Sequence, residues 1–347
     1  MSSTFEVPII EIKLEPHKNA ETLSIVRYQG YQIVVKTEEF KDVRTAVFIP
    51  PDSVVPDRPE WSWLGSDPRH RRIRVRKFRG EWSHGLLTTI MEPKPVGTNV
   101  ANDLGITPYE PPSSGREGNS SRNRRALPWY RRIFAYYREA RERPRGQYPY
   151  YDIENFRKLQ NLFQLGEPII VTEKVHGANA LYTSKHPWYS RNTKVYMRSR
   201  TMWKLPFKQD WWQDAYRATP GLQDLLKDFP GISIYGEVYG RGVQELEYGV
   251  KEPHFVAFDI WDQGMGWWGQ DTALAVMVNY GVPTVPILYE GPYRGPEHLI
   301  ELLEYHKNSQ LALHNGAKQV SEGLVVQSLN SRKILKLVSN YYLEGAK

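Results

Sequence analysis

The chain has 347 residues, 46 Lys and Arg against 39 Asp and Glu, a formal net charge of +7 and no cysteine. That length implies roughly two domains, and 40% hydrophobic residues argue against global disorder. The missing cysteines exclude disulfides, thiolate metal sites, iron–sulfur clusters and a cysteine nucleophile together.

From residue 5 to about 105 the pattern is β. FEVPIIEIKLE, LSIVRYQGYQIVVK, TAVFIP, RRIRVRKFRG and HGLLTTI read as short strands rich in Val, Ile, Phe and Tyr, punctuated by Pro, Gly and Asp. Five such strands in about 100 residues predict a small barrel or sandwich. Residues 106–150 change character. PPSSGREGNSSRNRR is a linker by composition. It leads into a short basic amphipathic helix, with Trp129, Ile133, Phe134 and Tyr137 at helical spacing among Arg131, Arg132, Arg138 and Arg141.

From 151 to 347 strands and helices mix. PIIVTEKV, KVYMRSR, ISIYGEVYG, HFVAFDIWD, EGLVVQS and KILKLVS are strand-like. TALAVMVNYG and PEHLIELLEYHKNSQLALHNG are helix-like. The strands are not spaced by regular helices, so a doubly wound parallel sheet is not expected. The expectation is an α+β domain built on antiparallel sheets.

No apolar run reaches the ~18–20 residues that span a bilayer. The N-terminal MSSTFEVPIIEIKLEP lacks a charged segment ahead of an apolar core, so it does not read as a signal peptide. A soluble intracellular protein, cytoplasmic or nuclear, is expected. Eleven Trp and 22 Tyr on a basic chain suit a phosphate-rich, base-stacking partner. A mildly basic enzyme with aromatic cores satisfies the same composition.

The chemistry concentrates after residue 165. In VTEKVHGANA an apolar strand ends at Thr172, Glu173, Lys174, His176, Gly177 and Asn179. Glycine there lets backbone approach a ligand closely. A lysine nucleophile must be neutral, and an unperturbed lysine is neutral roughly once in a thousand at neutral pH. A nucleophilic Lys174 therefore calls for burial or a second cation, with Lys336 and Lys333 as candidates. Glu237 in YGEVYG and Glu322 in EGLVVQS are carboxylates on separate strands, suited to a ribose hydroxyl and a magnesium ion. Phe255 and Phe258 should face opposite ways at period 2. Arg198 and Arg200 should share a face and suit phosphate or ribose. Arg72, Arg74 and Arg76 form a candidate backbone-contact stripe. GxxxxGK[ST], GxSxG, HExxH and the kinase signatures are absent.

Taken in order, these segments resemble the collinear motifs of the covalent nucleotidyltransferase superfamily of polynucleotide ligases and mRNA capping enzymes. They are EKVHG around Lys174, RSRT around Arg200, YGEVYG around Glu237, FVAFDIWD around Phe258, EGLVVQ around Glu322 and ILKLVS around Lys336. EKVHGAN, with histidine where DNA ligases usually carry aspartate, looks like the RNA ligase 2 group. EPHKNAETLSIVRYQGYQIVV, VFIPPDSVVP and IRVRKFRGEWSHGLL resemble a tRNA-binding OB-fold. That module ahead of a Lys-x-His-Gly transferase domain is similar to the RNA ligase 5 family.

The resemblance implies an N-terminal OB-fold β-barrel over 1–105, a basic linker and helix over 106–150, and an ATP-grasp-like adenylyltransferase domain of antiparallel sheets flanked by helices over 151–347. It implies an ATP-dependent RNA ligase, using Mg2+ or Mn2+, that seals 3′-OH/5′-phosphate nicks through a lysyl–AMP intermediate. Its partner would be a nicked duplex containing RNA, with RNA on the 3′-OH side, and the chain would work as a monomer. Lys174 would attack the α-phosphate and Glu173 would read the adenine edge. His176, Gly177 and Asn179 would shape the phosphate and ribose pocket. Arg200 would contact ribose or the donor phosphate, Glu237 the ribose hydroxyls, and Phe258 would stack on adenine. Glu322 would hold the metal or its waters, and Lys336 would bind the α-phosphate. The usual Lys-x-Lys of the last motif is Lys336 followed by Val338 here. A DNA ligase of the same superfamily, or a non-catalytic OB-fold RNA-binding protein, are the alternatives.

Overall fold

The computed structural model describes residues 5–64, 71–89, 94–109, 144, 146–186, 193–204 and 210–345. The basic helix expected around residues 128–142 lies outside the described residues. The chain divides into two compact units. The first combines residues 1–111, 153–163 and 335–347, and the second 112–152 and 164–334.

The first unit carries β1 (Ile9–Glu11), β2 (Glu15–Pro16), β3 (Leu23–Tyr28), β4 (Tyr31–Lys36), β5 (Thr45–Ile49), β6 (Ser53–Val54), β7 (Arg76–Phe78), β8 (Glu81–Ser83), β9 (Leu86–Thr88) and β10 (Thr107–Pro108). They form small open sheets, β1–β5–β9, β2–β3–β4, β7–β8 and β10–β6, so the expected closed barrel is corrected to open sheets. The strands are only two to six residues long. Between β4 and the β8 segment, side chains supplement the backbone bond from the His84 amide to Gln32 O at 2.7 Å. The Val34 amide donates to Ser83 Oγ at 3.0 Å, and the Gln32 amide to His84 Nδ1 at 3.1 Å. Ile10, Val26, Ile33, Phe48 and Leu87 make one core, and Val7, Ile9, Val47, Ile49 and Trp61 a second. Residues at period 2 supply both, as half-buried strands require.

Two later segments complete this unit. The strands β11 (Glu154–Asn155) and β20 (Ile334–Val338) pair in parallel, with Lys336 opposite Asn155. The Gly30 amide donates to Arg157 O at 2.8 Å. A Cβ at Gly30 would lie 2.8 Å from that oxygen and 2.9 Å from Arg157 Cα, so only glycine lets the segment lie there. Along the expected arginine stripe Ile73 and Val75 are buried, while Arg72, Arg74 and Arg76 are not. β7 begins only at Arg76, and Arg72 pairs with Asp52 at 2.7 Å and sits 3.7 Å over the Tyr109 ring.

The second unit contains β12 (Pro168–Lys174), β13 (Ala178–Lys185), β14 (Lys194–Arg198), β15 (Ile232–Tyr239), β16 (His254–Asp262), β17 (Gly266–Trp267), β18 (Ile287–Pro292) and β19 (Gly323–Ser328). One antiparallel sheet runs β14–β13–β15–β16–β17, and β12 pairs antiparallel with both β18 and β19. The helices Trp211–Arg217, Pro220–Asp228 and Gln270–Asn279 supply Trp212, Leu222, Leu225, Leu226, Ala273 and Met277 to a core with Ile170, Tyr182, Ile234 and Phe255. Proline at the start of Pro220–Asp228 preorganises its first turn. Leu222, Leu225 and Leu226 then share one face. Among the described residues no helix is long and apolar enough to cross a membrane.

Candidate active site

Strand parity decides which groups meet. On β12, Ile170, Thr172 and Lys174 face one way and Val171 and Glu173 the other. The register places Gly323 opposite Lys174, so Glu322 stands one step beyond the strand end. Lys174 Nζ donates to Glu322 Oε1 at 2.6 Å, with the lysine side chain 23% and the glutamate 10% exposed. His176 Nδ1 lies 3.6 Å from Glu322 Oε2. Burial pushes Glu322 upward, but Lys174 and His176 outweigh it and hold the carboxyl below its ordinary range.

Among the described residues of this unit, the group paired with Lys174 Nζ is the Glu322 carboxylate. Lys333 is engaged elsewhere, 2.9 Å from Glu167. Lys336 belongs to the first unit.

Glu237 lies on β15 directly opposite Asn179 on β13. Its Oε2 is buried without a hydrogen-bond partner among the described residues. Burial pushes its carboxyl up to about 8, opposed by Lys174 and reinforced by Glu322, with Asn179 and Arg200 also lowering it. Gly177 passes so close to β15 that a Cβ would lie 2.5 Å from Val238 O and 3.1 Å from Glu237 Cβ. The glycine thus brings the Lys174 turn against the Glu237 strand.

Other expected residues are placed differently. Glu173, on the opposite face from Lys174, accepts the amides of Gln310 and Leu311 at 2.9 and 3.0 Å. It thereby takes up two first-turn amides of the helix Gln310–His314, whose N-cap is Ser309. Burial raises its carboxyl, and those amides oppose the rise. Arg198 and Arg200 do not share a strand face, because β14 ends at Arg198. Arg198 is buried and donates to the carbonyls of Tyr148 and Pro149 at 3.0 and 3.1 Å. Arg200 is 62% exposed and lies 3.3 Å from Asp152. Phe255 enters the main core, whereas Phe258 joins an aromatic cluster with Tyr151 at 4.6 Å between ring centres. The register passes from Tyr235↔Asp259 to Gly236↔Ala257, so Phe258 is the extra residue of a bulge, a device that re-aims a side chain.

Sequence reasoning missed two supports. Tyr248, fully buried with φ +53°, accepts the His176 amide on its hydroxyl at 2.6 Å. Gln319 and Asn315 hold its backbone, each by one hydrogen bond. A tyrosine at positive φ persists only where its surroundings over-determine it, and no local motif signals it. Asp259, buried, accepts from Tyr151 at 3.0 Å and pairs with Arg332 at 2.6 Å beside the bulge. Arg332 was visible only as one more charge in a turn.

Among the described residues no group of three or more His, Asp or Glu side chains forms a metal cage. The buried Oε2 atoms of Glu237 and Glu322, both without hydrogen bonds, nonetheless fit a hard cation that keeps most of its ligands as water and phosphate. The same atoms fit hydroxyl donors of a ligand. With a lysine amine between them, the site suits nucleophilic attack at a phosphorus centre.

Residues 167–338 match the RNA ligase family and residues 7–90 an OB-fold domain. No curated protein matches. The chain is similar to a Naegleria gruberi RNA ligase variant with ATP and Mn, at 22% identity over 98% of both chains with a TM-score of 0.73. Another variant of that ligase with ATP and Mn matches at 21% identity over 97% of this chain and 98% of that one, TM-score 0.72. A variant with AMP and Mn gives the same identity, coverage and score.

Proposed function

We propose, from the match of residues 167–338 to the RNA ligase family, that this chain is an ATP-dependent RNA ligase of the RNA ligase 5 type, acting through a lysyl–AMP intermediate on nicked duplexes with RNA on the 3′-OH side. In this reading residues 1–105 are the OB-fold domain that grips nucleic acid, 151–347 the nucleotidyltransferase domain, and the working form a monomer. The observation that carries it is the 2.6 Å pair between Lys174 and Glu322 beside the orphaned carboxylate oxygen of Glu237.

Lys174 Nζ, freed of its proton, attacks the α-phosphorus of ATP. The N–P bond forms as the P–O bond to pyrophosphate breaks. Lys174 Nζ is paired with Glu322 at 2.6 Å, so that carboxylate must be drawn off or neutralised before the amine passes its proton to solvent and attacks. A divalent cation bound at Glu322 would supply that neutralisation and offset charge on the phosphates. Glu237 offers hydroxyl acceptance to the ribose beside Asn179, and Phe258 its ring to adenine. Glu173 supports the pocket through the Gln310–His314 helix, and its second oxygen remains for the adenine amine. Arg200, once released from Asp152, reaches a phosphate. His176 and Gly177 shape the turn, and Lys336 joins at the α-phosphate. AMP then passes to a 5′-phosphate end, and a 3′-OH displaces it.

The test is incubation with α-labelled ATP and Mg2+ or Mn2+, wild type beside Lys174→Ala. The expected result is a labelled wild-type band on a denaturing gel, absent from the variant and discharged by pyrophosphate. A folded wild type that takes no label overturns the reading in favour of a non-catalytic RNA-binding protein.

A further inference from the structure

A cavity of about 220 Å³ lies beside β14, the edge strand of its sheet, outside the site described above. Lys194, Tyr196, Lys204, Gln213, Tyr216 and Arg217 line it. Three of these are cations and two are phenol rings. Arg217 is 63% exposed, and its acidic neighbour Asp214 is 3.6 Å away. Lys204 already sits 3.5 Å over the Trp212 ring and Lys194 5.1 Å from the Tyr196 ring. The wall therefore combines π faces with fixed positive charge. This is the chemistry that binds single nucleotides of a strand, because every base has a π face and every link a phosphate. The volume falls below the ~300–1,000 Å³ that encloses a drug-sized ligand, so it suits one base rather than a whole cofactor.

Position supports the same ligand. Lys194 and Met197 pair with Lys185 and Tyr182, while Asn179 pairs with Glu237. The pocket thus stands three to six residues along β13 from the Glu237 carboxylate, about 10–20 Å at ~3.3 Å per residue. We propose that this pocket binds one unpaired nucleotide of an RNA strand, outside the paired stretch that holds the reacting ends together. The identity of the strand as RNA rests on the ligase reading.

The experiment measures binding of a fluorescein-labelled, 5′-phosphorylated 12-nucleotide single-stranded RNA by anisotropy at several salt concentrations. It compares the full chain with Lys194→Glu/Arg217→Glu, and with the milder Lys194→Ala/Arg217→Ala should the reversal misfold. Loss of two phosphate contacts should weaken binding about tenfold or more and reduce the salt slope by about 1.4. Photocrosslinking of 4-thiouridine RNA should label a peptide within 194–217. Unchanged affinity and slope with crosslinks elsewhere overturn the pocket. Self-adenylylation is assayed beside it and should be unaffected. Label without the affinity loss sinks the pocket and spares the ligase reading, whereas affinity loss without label does the reverse.

Discussion

In the first unit Asn340 Oδ1 accepts from His84 Nε2 at 2.9 Å and from Arg157 NH2 at 3.0 Å, and Arg157 NH1 donates to Gly30 O at 3.0 Å. With Nε2 donating, His84 Nδ1 is left to accept the Gln32 amide. In the second unit Lys174, His176, Glu237 and Glu322 are packed as tightly, yet two carboxylate oxygens find no hydrogen bond among the described residues. Both clusters are buried and polar. One is satisfied internally, so it ties chain segments together. The other carries unspent acceptor capacity, which a folded protein tolerates where a ligand will use it. The difference teaches that completeness of hydrogen bonding, more than burial, separates a brace from a site.

Substitutions should split along that line. The largest effect expected is on Glu322→Ala. Self-adenylylation should fall about 100-fold or more, as loss of several kcal/mol of charge handling implies, with the thermal midpoint little moved. A variant that labels at the wild-type rate would remove Glu322 from the chemistry. Next comes Asn340→Ala, which leaves the buried Arg157 guanidinium without its side-chain partner. Urea denaturation should show a loss of about 3 kcal/mol, and a loss under ~0.5 kcal/mol would mean that the brace carries no load.

pH sharpens the contrast. His84 is pushed down to about 4, first by burial and then by Arg157. Between that value and the ordinary histidine range the unfolded chain holds a proton that the native one refuses. Stability is therefore complete above about 6.5 and lost as pH falls toward 4, by on the order of 3 kcal/mol. His84→Gln should flatten that slope in melts across the window. Glu237 shows the opposite sign. Its carboxyl is raised to about 8, so the native state holds a proton that the unfolded chain has released. Its contribution is present at low pH and lost as pH rises from the ordinary carboxylate range through about 8. The smallest effect expected is on Glu237→Gln, whose melting temperature should exceed the wild type's by a margin that grows with pH. A constant margin would contradict the raised value.

Much of the site was legible because its pieces sit at strand ends with characteristic neighbours. The run PIIV ahead of Lys174 announced a strand, and β12 ends at that lysine. Glu237 and Glu322 were read as carboxylates on separate strands; Glu237 lies on β15 opposite Asn179, and Glu322 stands one step before β19, paired with Lys174. The arginines were misread because period 2 was extended past the end of β14. The barrel was over-drawn because strand count says nothing about whether ladders close. Tyr248 and Asp259 had no local signal at all, since their partners Gln319 and Arg332 lie 71 and 73 residues away in sequence.

What the amino-acid order determined by itself was local: where apolar alternation makes strands, where glycine and proline interrupt them, and which groups able to do phosphate chemistry stand at their ends. These follow from backbone sterics and side-chain period, which act within a few residues. Tertiary structure alone decided which oxygens were left over. Whether Glu322 meets Lys174, whether Glu173 is spent on a helix end, and whether residues 335–347 return to the first unit all depend on packing between distant segments. Burial raises both Glu237 and Glu322, and the charges packed beside each then decide which carboxylate holds its proton and which gives it up.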